Sequence, residues 1–398
     1  SGCRFSSDEY ILSLLNREEG KLLNNSSVTW SDLNSHLLWN PATPPADLQG
    51  LQKAIYGWPA HVWLATSGSI CLKWVGLAKE ALLASAMAVN QYLRSDTKDH
   101  WLLTLPTFHV GGLGVEARAY LSGASLTYFP SSKWDPFLFH TLCRDNQISL
   151  SSLVPAQLFD LVMHRLVSPP SLRTVLVGGG HLSPIVYQKA THLGWPILPT
   201  YGLTECSSQV ATAPLMSWQE ATIPPFMPLP HLQIQSRDGI LHFQGPSLLT
   251  GYFIEKGGAF SFCDPKQNGW FASEDRGEVI DGKLILHGRS LDFWKIGGEN
   301  VSLSALESLL DQIRMEFNYM ADVALVPIPD DRLGHIIALA TTPVAPTLLQ
   351  DLIHAFQKRT PPFARIRKVY QLISLPRSPL HKLRLSNLQT HLKQALEE

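Results

Sequence analysis

Between residues 61 and 200, six short β-rich runs alternate with stretches of helical apolar spacing. The runs are His61 to Ala65, Trp101 to Leu105, Ser125 to Phe129, Ser149 to Val154, Thr174 to Val177 and Pro196 to Thr200. The helical stretches are Ala78 to Leu93, Gln157 to Val167 and Pro184 to Leu193, the last begun by Ser183 as cap and Pro184 as first residue. This alternation predicts a layered α/β domain, with loops leaving the strand ends where ligands bind.

Two further textures follow. Residues about 220 to 288 carry Pro224-Pro225, Pro228 and Pro230 among short strands such as Leu232 to Gln235 and Ile240 to Gln244, which predicts a β-rich subdomain. Beyond Arg289 come a helix near Ser302 to Ile313, strands near Val323 to Ile328 and Ile336 to Thr341, a helix from Thr347 to Lys358 and a strand near Val369 to Ile373. That is a compact α+β module of roughly a hundred residues. The expected division is a large domain over 1–288, a hinge at 289–292 and a small domain over 293–398.

Composition agrees with that size. A chain of 398 residues with 45% apolar and only 16% charged side chains should bury one sizeable core. A formal net charge of −1 supplies no field for a polyanion or an anionic membrane, so nucleic acid is not an expected partner. Cys3, Cys71, Cys143, Cys206 and Cys263 form no CxxC pair, which argues against structural zinc and a disulfide frame and for a reducing cytoplasm. No run has transmembrane length, and no signal pattern opens the chain, which begins Ser1-Gly2.

The chemistry-bearing residues form an ordered series. Tyr201-Gly202-Leu203-Thr204-Glu205 follows the triple glycine Gly178-Gly179-Gly180 at the distance of one βαβ unit. Alone it also reads as a Tyr-Gly turn with Thr204 capping a helix. Thr66-Ser67-Gly68-Ser69 with Lys73 lies upstream, Pro106-Thr107-Phe108-His109 between, and Ser273-Glu274-Asp275, Gly288-Arg289 and Lys382 downstream. Together, from about Val62 to Arg384, these resemble the adenylate-forming superfamily of acyl-CoA synthetases, luciferases and peptide-synthetase adenylation domains.

The resemblance implies a large domain with a mobile C-terminal lid, and it assigns roles. Thr66, Ser67, Gly68, Ser69 and Lys73 would wrap phosphate oxygens, the alternative being a plain strand-to-helix turn. Cys71 replaces a family glycine in a loop one residue shorter, so altered ATP handling is expected. Gly178, Gly179 and Gly180 would let adenine approach and stack on Tyr201, next to Gly202. Thr204 would touch phosphate and Glu205 would hold Mg²⁺. Asp275 and Arg289 would grip the ribose, the alternative being solvated surface charges, with Glu274 adding a mildly unfavourable charge. Lys382 would meet the carboxylate and the α-phosphate, from a loop stiffened by His381 in place of glycine. Leu291, beside Asp292, occupies the lid pivot. Gly297 and Gly298 resemble the turn that lines the CoA tunnel, the alternative being a reverse turn before a helix.

For the acid, the segment Phe108 to Arg118 is similar to the o-succinylbenzoyl-CoA synthetases of menaquinone biosynthesis, which place an arginine at this spacing from the histidine. The resemblance implies that Arg118 recognises the aromatic carboxylate of 2-succinylbenzoate, that His109 walls the reacting carboxylate, that Gly111 and Gly112 leave room for the ring, and that Thr200 lines the same pocket. Pairing of Arg118 with Glu116, and a core role for His109, are the alternatives. The implied co-substrates and cofactor are ATP, CoA and Mg²⁺. Only some sixty residues precede the phosphate loop, fewer than in the family. Other readings stay open: a ligase for a different acid, an enzyme loading a carrier protein, or a nucleotide binder without turnover. So does a homo-oligomer.

Overall fold

The computed structural model describes residues 21–67, 72–131, 133–220, 222–289, 293–378, 383–385, 387–390 and 392. A first sheet joins β1 (Leu22–Asn24), β2 (Ser35–Leu38), β3 (His61–Ser67) and β4 (Leu72–Ala78) to β14 (Gly251–Lys256) and β15 (Ala259–Cys263), in that spatial order. A second has the order β11 (Met227–Pro228), β10 (Ser208–Thr212), β9 (Ile197–Leu203), β8 (Thr174–Val177), β7 (Leu150–Leu153), β5 (His100–Leu103), β6 (Ser125–Tyr128). Strands β5 to β9 are parallel, and β10 and β11 add antiparallel pairs at one edge.

Helices cover both faces of this second sheet, and the period of two along its strands decides which residue meets which layer. Trp101 and Leu103 share a core with α2 (Lys79–Leu93) and α3 (Val110–Ser122). Leu102, Val175 and Val177 face α4 (Pro136–Asp145), α5 (Pro155–Met163) and α6 (Pro184–His192) on the other side. Helices α2 and α3 are themselves sandwiched, because Leu82, Ala86, Leu113 and Ala117 pack on Val62, Leu64, Val75 and Leu77 of the first sheet. Both helices are accordingly apolar nearly all round. Helix α1 (Leu48–Ile55) closes the outer face of the first sheet against Trp63 and Trp74. The result is a five-layer α/β stack.

A third sheet, β12 (Gln233–Arg237), β13 (Ile240–Gln244), β16 (Phe271–Ile280) and β17 (Lys283–Arg289), leans on the same central core through Leu241, Phe243, Phe271 and Leu284. The strands of 220–288 thus divide among three sheets: β11 joins the second, and β14 leaves with β15 for the first, where β14 pairs antiparallel with β4. The C-terminal module is a hairpin of β18 (Phe293–Ile296) and β19 (Glu299–Ser302), α7 (Leu303–Glu316), β20 (Val323–Asp330), β21 (Gly334–Thr341), α8 (Pro346–Arg359) and β22 (Ile366–Gln371). It has its own core around Leu310, Leu325, Leu339 and Phe356. It touches the large domain where the Arg314 guanidinium lies 4.1 Å over the Phe159 ring and where His181 Nε2 and Ser308 Oγ are 2.7 Å apart. Among the described residues no helix is long and apolar enough to cross a membrane.

Candidate nucleotide and acid site

Strands β8 and β9 run parallel with Val177 beside Pro199, so their C-terminal ends bring Gly178 directly against the Thr200 hydroxyl. Tyr201, next along β9, donates from its hydroxyl to Asp275 Oδ2 at 2.6 Å, and Asp275 is buried rather than a solvated surface charge. Arg289 pairs with Asp275 across β16 and β17, although its side chain lies outside the described residues. The glycine loop, the tyrosine and the acidic partner therefore meet at one strand end.

Tyr201-Gly202-Leu203 is strand, not turn, and Thr204 opens a single 3-10 turn, Thr204–Cys206, before β10 folds back. A Cβ at Gly202 would collide with the Ser208 carbonyl oxygen, so this close approach of two backbones requires glycine. The fold-back is strained: Ser207 and Ser208 hold φ of 56° and 106°, and the register slips between Gln209 and Ala211.

Glu205, within that turn, accepts a 2.9 Å hydrogen bond on Oε1 from Tyr252, and the Lys73 ammonium lies 5.2 Å over the Tyr252 ring. Thr66 and Ser67 close β3, and Lys73 stands on β4 opposite Thr66. Thr66, Ser67 and Lys73 thus stand on paired antiparallel strands and not at a strand-to-helix turn. Gly68, Ser69 and Cys71 lie outside the described residues. Burial and the fields of Glu205 and Asp275 push the Cys206 thiol well up, and burial with Glu205 and Glu274 raises the Tyr252 phenol. This end of the site is acidic. Glu205 Oε2 accepts no hydrogen bond from a described residue, and no cluster of three or more metal-ligating side chains occurs among them. One free carboxylate oxygen fits Mg²⁺, which binds through one or two carboxylates and substrate phosphates rather than an all-protein cage.

The acid end lies at the topological switch, where β6 and β7 flank β5 on opposite sides. There Thr104 Oγ1 donates to Ser152 O at 2.8 Å and His109 caps α3, its carbonyl accepting from Gly112 and Leu113. Two turns on, Arg118 is 3% exposed. It does not pair with Glu116, which accepts instead from Tyr128 at 2.8 Å. Its Nη2 reaches Ser208 Oγ at 3.5 Å, and the guanidinium lies 5.9 Å from the Trp101 ring centre. Among the described residues no carboxylate offsets its burial, which pulls its pKa down to about 10. Gly111 and Gly112 are backed by Leu105 and by the carbonyls of Leu105 and Pro106, whereas Gly114 faces Ser208 and Arg118. Ser208 and Tyr252 escaped the reading of the sequence; each meets its partner only through the fold.

Gly297 and Gly298 form the two-residue turn of the β18–β19 hairpin, with φ of 60° and 90°, a mirror-image turn that glycine alone adopts readily. Gly297 N donates to Leu333 O at 2.9 Å, which ties the turn to the small domain, and no contact with the nucleotide end is recorded for it among the described residues. Leu291, Asp292, His381 and Lys382 lie outside the described residues.

These residues gather at the strand ends of a five-layer α/β stack, and a family model described as AMP-binding enzyme matches residues 66–253. That match covers a little under half of the chain's 398 residues. The chain's particular likeness is to 2-succinylbenzoate–CoA ligases. The protein of that name from Bacillus cereus strain ZK / E33L is 29% identical over 79% of this chain, and the alignment spans 65% of that relative's length. Another from Bacillus cereus strain ATCC 14579 is 26% identical over 99% of this chain and 82% of its own. Among solved structures, a variant of E. coli MenE with bound OSB-AMS superposes with a TM-score of 0.64 at 25% identity, covering 84% of this chain and 69% of the other.

Proposed function

We propose that the chain joins 2-succinylbenzoate to CoA with consumption of ATP, a step of menaquinone synthesis. Arg118 carries the reading: a buried guanidinium beside Ser208, with no carboxylate partner among the described residues, awaits an anion. The substrate has two carboxylates. The aromatic one pairs with Arg118, leaving the succinyl one to react near His109, Gly111, Gly112 and Thr200.

In the first step a succinyl carboxylate oxygen attacks the α-phosphorus, the bond from that phosphorus to the bridging oxygen breaks, and pyrophosphate leaves. In the second the CoA thiolate attacks the acyl carbon and AMP leaves. The protein positions and neutralises rather than forming a covalent link of its own. Gly178 to Gly180 and Tyr201 with Gly202 hold adenine, Asp275 and Arg289 the ribose, and Thr66 to Ser69, Lys73 and Thr204 the phosphates. Glu205 would hold Mg²⁺, which would supply charge neutralisation at the phosphates. Lys382 supplies positive charge from the module 293–398, which turns about 289–292 against 1–288 so that Gly297 and Gly298 line the CoA path.

The test is acid-dependent pyrophosphate release with MgATP and 2-succinylbenzoate, then CoA addition and mass detection of the thioester, with Lys382→Ala as control. Release that requires this acid and falls about 10²- to 10³-fold in the control supports the proposal. Silence with this acid but release with another aromatic or fatty acid, or transfer to a carrier protein in place of CoA, would overturn it.

A further inference from the structure

Tyr252 stands outside every motif, yet it touches two of them. It sits on β14, whose antiparallel register with β4 sets Tyr252 opposite Val75 and Ile254 opposite Lys73. Lys73 is therefore the diagonal neighbour of Tyr252 on the sheet, within reach of a long side chain, and its ammonium lies 5.2 Å over the ring. The tyrosine hydroxyl points the other way and donates to Glu205 Oε1 at 2.9 Å. The backbone repeats this bridge: Leu249 N donates to Glu205 O, and Thr250 N to Gly76 O, each at 2.8 Å. Segment 249–252 is thus stitched to the Glu205 turn on one side and to the phosphate-loop hairpin on the other.

We propose that Tyr252 is a positioning residue: its hydroxyl fixes the Glu205 carboxylate with Oε2 turned to a divalent cation, while its ring holds Lys73 beside the phosphates. The inference rests on the nucleotide reading above and adds a residue to it. A glutamate carboxylate, carried on three rotatable bonds, rotates freely unless one oxygen is anchored. A phenol suits the task because it donates a single hydrogen bond and brings no charge that would compete with the metal. Groups that orient a metal ligand from behind govern metal affinity by about 10- to 100-fold.

The experiment uses Tyr252→Phe in the whole chain, which keeps the ring and removes only the donor. ATP binding is measured by calorimetry without divalent ions and across a Mg²⁺ series, and Mn²⁺ binding in the presence of ATP by electron paramagnetic resonance. The expected result is unchanged ATP affinity without metal and a rise of about tenfold or more in the Mg²⁺ and Mn²⁺ concentrations for half-saturation. In a Glu205→Gln background the same change should have no further effect, since the tyrosine acts through that carboxylate. A lowered melting temperature with metal midpoints equal to wild type, or an equal shift in both backgrounds, would overturn the inference. Wild-type ATP binding without any response to Mg²⁺ would also overturn the inference, whereas wild-type protein that binds no ATP with or without Mg²⁺ would sink the nucleotide reading itself, a distinct failure visible before any variant is compared.

Discussion

Replacing Arg118 by methionine should make the ligand-free protein more stable and less able to select its acid. The guanidinium is buried, and that burial pulls its pKa from the usual arginine range down to about 10. At about 1.4 kcal/mol per unit, the charged group burdens the ligand-free fold by on the order of 3 kcal/mol. Its contacts return part of this: a cation–π approach to Trp101 worth about 0.5–2 kcal/mol and a long hydrogen bond to Ser208. Methionine fills similar volume without charge, so a net gain of about 1–2 kcal/mol is expected, within the range for apolar replacement of buried ions. The sign with pH also follows. For a base whose folded pKa is depressed, the penalty is present at every pH below about 10 and is relieved only above it. The advantage of the variant should therefore be constant from pH 6 to 9 in chemical denaturation. In pyrophosphate release, kcat/KM for 2-succinylbenzoate should fall about 10²- to 10³-fold, as for loss of one partner of a buried charge pair, while 4-oxo-4-phenylbutanoate, which lacks the ring carboxylate, is used no worse than by wild type. A variant destabilised by about 2 kcal/mol or more, or one that loses both acids equally, would show that Arg118 serves the fold and not the substrate.

Three further outcomes are expected. Gly202→Ala should drive its Cβ into the Ser208 carbonyl and cost more than about 3 kcal/mol, read as a large fall in melting temperature; an unchanged midpoint would refute the close approach. Tyr201→Phe removes a 2.6 Å hydrogen bond to a buried carboxylate and should weaken ATP binding about tenfold or more with the KM for the acid unchanged, measured by calorimetry and initial rates. Burial, with Lys79 nearby, pulls the imidazole of His36 down to about 4, so the unfolded chain takes up a proton near pH 6.5 that the fold refuses. Stability should fall by on the order of 3 kcal/mol as pH drops from about 6.5 to about 4, and His36→Gln should flatten that slope in urea titrations at several pH values.

Thr174–Val177, buried throughout, was legible as a continuous apolar run, and Ile240–Gln244 by the alternation that buries Leu241 and Phe243; both match the expected spans to the residue. Strand β4 was not legible. Leu72 and Lys73 read as the end of a phosphate loop, with no element predicted for 74–77, whereas Trp74, Val75 and Leu77 fill cores on both faces of the first sheet. The strands before residue 61 are three and four residues long, too short for a period to emerge, and the pairing of β14 with β4 joins segments about 180 residues apart for which no local pattern speaks. Within the site, the ordered motifs pointed to Tyr201, Asp275 and Arg118, but the helpers did not reveal themselves. Arg118 and Ser208 are 90 positions apart, and the positive φ of Ser207 and Ser208 is carried by residues that give no sign of it in composition. Long-range contacts and tertiary strain lie beyond any window of local reading.

The two ends of the candidate site carry opposite charge. Glu205, Glu274 and Asp275 bear on Tyr252 or Cys206 at one end, and Arg118 stands alone among the described residues at the other. The β9–β10 hairpin joins them within a few residues, since Ser208, which meets the guanidinium, follows Glu205 by three positions and lies against Gly202. Ions left unmatched in a poorly polar surrounding are unfavourable unless a ligand completes them. A cation drawn to phosphates satisfies the acidic end, and only a carboxylate remote from the reacting one satisfies the basic end. Discrimination then needs no clash: an acid that lacks the second carboxylate fills the pocket yet leaves the guanidinium desolvated and unpaired, and sites built around a buried polar partner reject such analogues far more strongly than apolar pockets reject a missing methylene. Under the proposed function, selectivity for a dicarboxylate is paid for in advance, in the stability that the Arg118→Met variant should recover.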